Sequence, residues 1–176
     1  MIFRIFILAF ILIGCIQKTR NDRYIGEIEL GTSVSDLKEN LTHLKSLDIV
    51  DEGTYFLLDS IPIYMVYSKE GNDKVSGVRV FSSEIKYLNV EMVGLSVDSL
   101  KHLFPNGKFM NDFDDGLKVL YFPSIELFDD KTGNEIGIYV SIQTINRNQP
   151  ELKLPKDSIK LLGNEKVVYF DVHYKD

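Results

Sequence analysis

The sequence is short of the residues that build disulfides and metal sites. It contains one cysteine in 176 residues, three histidines and no tryptophan. A single cysteine cannot form an internal disulfide, and it excludes a zinc site made of several thiolates. Cations are also in the minority, with 20 lysines and arginines against 26 acidic residues and a net charge of −6. Because nucleic-acid binding needs a basic face, this class of partner is excluded.

The only long apolar run lies at the N-terminus. Residues 5–14 follow Arg4, carry no charge and end at Cys15, the one cysteine of the chain. This layout is typical of a secretory signal, and the run is too short for a membrane-spanning helix, which needs about 20 apolar residues. An ordinary signal with an accidental cysteine would show the same pattern.

The last four residues of this run, Leu12-Ile13-Gly14-Cys15, resemble the lipobox of bacterial lipoproteins. In that family the signal is cleaved before the cysteine, whose thiol carries a diacylglycerol with acyl chains such as palmitate that hold the protein to a membrane. The resemblance implies a signal peptide at 1–15 and lipidation of Cys15. Residues 16–23 are polar and show no periodicity, which predicts a short tether between lipid and domain. Ile16, rather than Asp, follows the cysteine, which by the family's sorting rule implies the outer membrane, facing the periplasm.

The rest of the chain contains an internal sequence repeat with an offset of 63 residues. Between 24 and 58 this shift gives ten identical pairs in 35 positions, among them Gly31/Gly94, Ser33/Ser96 and Leu37/Leu100. A gap of three then aligns 77–80 with 137–140. We therefore predict two tandem units, 24–82 and 87–143, followed by a C-terminal segment at 144–176.

Each unit has the pattern β-α-β-β-β, which predicts an α+β fold with a mostly antiparallel sheet and short helices on one face. Ser33 and Ser96 are predicted to cap the helices. The helical stripes are Val34, Leu37, Leu41 and Leu44 in the first unit, and Val97, Leu100 and Phe104 in the second. Strands are predicted at 25–30, 54–58, 61–67 and 74–81, then at 88–93, 117–122, 125–128 and 136–143. The C-terminal segment is predicted to hold a loop, a helical turn at 155–162 and a final strand at 166–174.

The repeated Gly-x-Ser-Val-x-x-Leu at 31–37 and 94–100, followed by a meander, resembles the SmpA/OmlA-type outer-membrane lipoproteins. It also resembles the β-lactamase-inhibitor protein, which doubles a similar helix-on-sheet unit. Both families act by protein–protein contact, so the resemblance implies a binding role. The chain lacks the Gly-x-Pro that often closes the helix in the first family and the disulfides of the second, so the fold transfers better than the partner.

Residues with catalytic or metal-binding chemistry form no recognisable motif. His43 and His102 are placed near helix C-termini, and His173 is predicted to point outward from the final strand. The acidic run at 112–116 lacks the spacing of a calcium loop, and Asp129-Asp130 is interpreted as a solvated hairpin tip. We therefore expect no metal, no cofactor and no enzymatic activity.

Three residues are predicted to project outward from the sheet as a partner surface: Tyr64, Arg79 and Tyr139. Tyrosine and arginine contribute much of the binding energy of protein interfaces. Alternatively, exposed strand tyrosines are simply good β formers. The sequence thus predicts a lipid-anchored, non-catalytic protein-binding module of the cell envelope, an assembly or structural accessory. An inhibitor or immunity protein and a small-ligand binder or envelope hydrolase are the alternatives, and the oligomeric state is not predicted.

Overall fold

A computed structural model describes residues 22–69, 71–112, 118–143 and 165–175. In these ranges the chain forms two short helices and a mostly antiparallel sheet system, which confirms the α+β class. The signal at 1–15, Cys15 and the helical turn predicted at 155–162 lie outside the described residues. No helix within the described ranges is long and apolar enough to span a bilayer.

The two halves of the chain contain similar series of elements. The first half consists of β1 (Tyr24–Ile25), β2 (Ile28–Glu29), α1 (Val34–Asn40), β3 (Lys45–Ile49), β4 (Gly53–Leu58), β5 (Ile61–Ser68) and β6 (Val75–Val80). The second half consists of β7 (Lys86–Tyr87), β8 (Val90–Glu91), α2 (Val97–Leu103), β9 (Lys108–Asp112), β10 (Lys118–Phe122), β11 (Leu127–Phe128), β12 (Glu135–Gln143) and β13 (Lys166–Tyr174).

One antiparallel sheet runs through the molecule in the order β3-β4-β5-β6-β13-β12-β10-β9, and the short β11 also pairs with β12. The final strand, predicted at 166–174, is observed with these bounds and lies at the centre of the sheet. It joins two meanders, because it pairs with β6 on one side and β12 on the other. The pairs β1–β2 and β7–β8 form separate two-stranded hairpins.

The end of the second unit differs from the prediction. In the first half, the segment before α1 bonds to the start of β6, with Gly31 N–H donating to the Val75 carbonyl at 2.8 Å. In the second half, Gly94 N–H donates to the Val167 carbonyl of β13 at 2.9 Å. Strand β13 thus accepts a bond from the segment before α2, as β6 does from the segment before α1, whereas the sequence repeat aligns β6 with 137–140 of β12. The long connection from 144 to 164 separates β13 from the rest of its meander and places it outside the sequence repeat.

The predictions for the segments that flank the helices also differ from the structure. The strands predicted at 25–30 and 88–93 are tight hairpins, and two strands, β3 and β9, were not predicted. Helix α1 ends at Asn40, so Leu41 and Leu44 fill the core from outside the helix. The predicted caps are confirmed: the Ser33 side chain accepts from two backbone N–H groups, and Ser96 accepts from Ser99 N–H at 3.2 Å.

Alternate cross-strand rows of side chains define the two faces of the sheet. One row faces the helices and hairpins and is almost completely buried. It consists of Phe56, Tyr64, Val80, Phe170, Val140 and Tyr121, paired in this order across six strands. Val34 and Leu37 of α1, and Val97 and Leu100 of α2, join the same core. The helices therefore cover one face, and we call the opposite face of the sheet the outer face.

Candidate functional site

The outer face carries its own continuous row of side chains. Paired in order from β3 to β12, this row consists of Leu47, Tyr55, Met65, Arg79, Asp171 and Tyr139. None of these six belongs to the core cluster. The row is uncovered by any described helix, and its only charged members, Arg79 and Asp171, lie at its centre. Any partner that reaches this face meets an aromatic surface with one ion pair in it.

Arg79 is held in a fixed position by neighbours from the two adjacent strands, β5 and β13. Its Nε donates to Asp171 Oδ1 at 2.8 Å and its second terminal nitrogen donates to Oδ2 at 3.3 Å. The guanidinium carbon lies 4.1 Å from the centroid of the Tyr169 ring, a cation–π geometry. Tyr67 donates its hydroxyl to Asp171 Oδ1 at 2.8 Å. Because the bidentate pair and the ring both fix the guanidinium, its remaining N–H groups are oriented before a partner arrives.

The protonation states of this group follow from its surroundings. Burial raises the pKa of the Tyr67 hydroxyl far above its ordinary value, and the neighbouring Asp171 charge adds to this effect. Burial alone lowers the pKa of the Arg79 guanidinium, but its hydrogen bond to Asp171 and the charge of that carboxylate outweigh burial, so the net pKa is raised. Both groups keep their protons at neutral pH, so they act as hydrogen-bond donors and not as bases.

A second group of rings continues the surface toward β10. Tyr139 stacks on His173 with centroids 4.4 Å apart, and Phe122 meets Tyr139 edge-on at 4.4 Å. Glycines make room for these rings: a Cβ on Gly77 would lie 2.8 Å from His173 Cβ. We call Tyr67, Arg79, Tyr139, Tyr169, Asp171 and His173 together the outer-face cluster. A shallow recess of about 440 Å³ lies over it.

The predicted surface residues separate into two environments. Arg79 and Tyr139 lie on the outer face, as their alternation predicts, and both belong to the cluster. Tyr64 does not: its side chain is fully buried in the core row. The prediction for Tyr64 was wrong because the β1–β2 hairpin covers its side chain and contacts its hydroxyl. Glu27 N–H donates to that hydroxyl at 3.4 Å, and Gly26, which has no Cβ, leaves the space.

Two polar segments are also more buried than predicted. Asp129 is not a solvated hairpin tip: its side chain is 1% exposed and accepts from Tyr174 Oη at 2.5 Å and Lys131 N–H at 2.8 Å. Residues 22 and 23, assigned to the tether, belong to the folded domain. Tyr87 donates to the Asp22 carbonyl at 2.6 Å, and Arg23 pairs with Glu29 at 2.5 Å.

The histidines lie as the sequence predicts. His102 is in the last turn of α2, and His43, just beyond α1, lies 3.2 Å from Glu27. His173 lies on the outer face, stacked on Tyr139. Among the residues that the structure describes, no three His, Cys, Asp or Glu side chains are grouped to hold a metal ion.

The sequence reasoning missed Tyr67, Tyr169 and Asp171. One signal was available: Asp171 is a charged residue between Phe170 and Val172, in the middle of an otherwise apolar strand. A carboxylate in such a place needs a partner, because burial of an unpaired charge is costly. That partner could not be identified as Arg79 until β13 was known to lie beside β6.

No family model matches the chain, and neither a curated protein sequence nor a solved structure shows significant similarity to it.

Proposed function

We propose that this chain is a membrane-anchored bacterial lipoprotein that acts as a non-catalytic protein-binding module in the cell envelope. In this proposal the outer-face cluster docks the partner. The observation that carries it is the fixed Arg79 guanidinium, stacked on Tyr169 at 4.1 Å and bonded to Asp171, on the face of the sheet that no described helix covers. Rigid tyrosines and arginines lose little entropy on binding and dominate the energy of protein interfaces.

The anchor is a separate part of the proposal. Cys15 carries the acyl chains and residues 16–21 link it to Asp22, where the described domain begins. Asp22 is held by Tyr87 of the β7–β8 hairpin, on the helix side of the sheet. The attachment point and the outer face therefore lie on opposite sides of the sheet.

A tandem duplication is the organisation that we propose for the domain. Helices α1 and α2 start 63 residues apart, each follows a serine cap, and each is preceded by a two-stranded hairpin. Each half then contributes four successive strands to the sheet: β3-β4-β5-β6 and β9-β10-β12-β13. We place the units at 22–81 and 86–175, so that the second one includes the final strand.

An inhibitor or immunity protein is the second candidate. The net charge of −6 favours this role against a basic toxin or enzyme, because opposite charge speeds encounter and suppresses wrong partners. Both candidates use the same surface and differ in the identity of the partner.

Crosslinked affinity capture of the full-length chain from native membranes tests the docking surface. We expect one stoichiometric partner, lost or strongly reduced in Tyr139→Ala and in Arg79→Ala. Tyr24→Ala is the matched control, because Tyr24 is 40% exposed on the β1–β2 hairpin, away from the outer face. Equal capture by all of these variants, with unchanged melting temperatures, would exclude the outer-face cluster as the docking site.

A gene deletion distinguishes the two candidate functions, and a cysteine substitution tests the anchor. Sensitivity to a toxin after deletion of the gene indicates an immunity protein, whereas envelope stress without a toxin indicates an assembly accessory. For the anchor, Cys15→Ser is expected to abolish incorporation of labelled palmitate and to release the protein from membranes. Continued labelling of this variant would contradict lipidation at Cys15.

A further inference from the structure

The free edge of β3 is a second potential contact surface, separate from the outer-face cluster. Among the residues that the structure describes, β3 ends the sheet and pairs only with β4, so half of its backbone N–H and C=O groups point away from the sheet. All five of its residues, Lys45–Ile49, are exposed. Such an edge can accept an additional extended strand through main-chain hydrogen bonds.

The side chains of this edge restrict what can pair with it. Leu47 and Ile49 are 48% and 37% exposed and lie on the outer face, and Val50 beyond the strand is 85% exposed. On the opposite face, Asp48 bonds to Lys38 of α1 at 2.8 Å, which brings the polar side of that helix next to the edge. A partner strand must therefore bring apolar side chains to the outer face and polar ones to the helix side.

The acidic charge around β3 favours a basic partner segment over a second copy of this chain. From α1 to the β3–β4 turn the exposed acids outnumber the cations five to two: Asp36, Glu39, Asp48, Asp51 and Glu52 against Lys38 and Lys45. A second copy would bring this acidic region against itself, whereas a basic segment would neutralise it. The opposite edge, β9, is different, because Lys108 begins it and Lys101 of α2 lies 5.3 Å from its Phe109 ring.

We propose that β3 binds an extended segment of a partner protein in which basic and apolar residues alternate, as an added antiparallel strand. Its apolar residues pack on Leu47 and Ile49, and its cations face the carboxylates of the helix side and of the turn. The site is independent of the outer-face cluster and does not require that the cluster bind anything.

The test uses the full-length chain in detergent micelles and a capped peptide in which valine and lysine alternate over six residues. We expect amide exchange to slow at alternate residues of Lys45–Ile49 when this peptide is added, since only every second N–H points to the free edge. The same peptide with glutamate in place of lysine is expected to bind at least about tenfold more weakly, because it meets like charge.

Two substitutions at equivalent places on the two edges complete the test. Leu47→Lys is expected to weaken peptide binding about tenfold, because it adds a like charge and removes an apolar contact. Met110→Lys on β9, where Met110 is 53% exposed, is the control and is expected to leave binding unchanged.

If Leu47→Lys does not fold, Ile49→Lys replaces it. The exchange pattern of the unmodified chain is a further test that needs no variant. The proposal is overturned if the lysine peptide leaves β3 exchange unchanged, if the glutamate peptide binds equally well, if Leu47→Lys binds normally, or if β3 is protected by dimer formation without peptide.

Discussion

Arg79 and Asp171 occupy equivalent positions in the two meanders and face each other where the meanders join. Arg79 lies four residues after Val75 and Asp171 four residues after Val167, and these two valines accept the equivalent bonds from Gly31 and Gly94. The neighbouring pairs, Val80 with Phe170 and Val78 with Val172, are arranged symmetrically about this pair. Along the strands the ion pair is therefore flanked on each side by a buried apolar pair, at the point where the two meanders join.

The Arg79–Asp171 pair is expected to be coupled energetically. In a double-mutant cycle with Arg79→Met and Asp171→Asn, measured by urea unfolding, we expect a coupling free energy of about 1–3 kcal/mol, because both groups are partly buried. The exposed pair Lys86–Glu91, with nitrogen and oxygen 3.0 Å apart, is the control. There we expect about 0–1 kcal/mol, since exposed pairs are screened by water. A coupling no larger than the control would contradict the fixed geometry of the Arg79–Asp171 pair.

The glycines of the outer face are expected to differ in their tolerance of a methyl group. Gly77→Ala places a Cβ 2.8 Å from His173 Cβ and 3.1 Å from the Tyr67 ring, so we expect a loss of unfolding free energy of about 1–3 kcal/mol. In Gly137→Ala the nearest atoms are Lys175 Cγ at 3.3 Å, and His173 Nε2 and Tyr139 Cε2 at 3.4 Å, so a shift of a few tenths of an ångström accommodates the methyl group. This variant should be close to the parent protein. Equal stabilities of the two variants would disagree with the packing of His173 against Gly77.

Tyr64 and Tyr139 are expected to respond differently to truncation. Tyr64→Ala removes a fully buried ring from the core row, and we expect the free energy of unfolding to fall by about 3–5 kcal/mol. Tyr139→Ala removes a half-buried ring from the outer face and should cost much less. Chemical denaturation of both variants makes the comparison. A stable Tyr64→Ala protein would show that Tyr64 is not part of the core.

Asp129 is expected to contribute to the dependence of stability on pH. Burial raises the pKa of this carboxyl, but hydrogen bonds from the Tyr174 hydroxyl and from the turn outweigh burial, so its folded pKa is below the ordinary value. A depressed folded pKa gives stability that is present above the unfolded pKa of about 3.9 and is lost as the pH falls through the folded value. Asp129→Asn should therefore cost about 2 kcal/mol near pH 7 and progressively less below pH ~4.

Urea unfolding of the parent and of Asp129→Asn across pH 2.5–7 measures this difference. Asp130→Asn is the matched control, since that side chain is 56% exposed and lies 3.8 Å from Arg23. An Asp129→Asn cost that stays constant down to the acid limit would contradict the depressed pKa.

Local patterns in the sequence were sufficient to predict several elements of the fold. The serine caps, the bounds of the final strand and the outward direction of Arg79, Tyr139 and His173 follow from spacing within a few residues. Tyr64 shows where such reasoning fails. Apolar or aromatic residues occupy both faces of β5, so alternation alone could not decide which face is buried. The hairpin that covers Tyr64 comes from residues 24–29, far from it in the chain.

By itself, the sequence determined the class of the fold, the two capped helices, the position of its last strand and the acidic balance. These depend on the period of side chains and on local hydrogen bonds, which a continuous stretch of residues contains. Tertiary structure alone decided that β13 pairs with β6, that β3 lies at one end of the described sheet and that Arg79 meets Asp171. These contacts join residues that are far apart in the chain, and they depend on which strands become neighbours when a single core is buried.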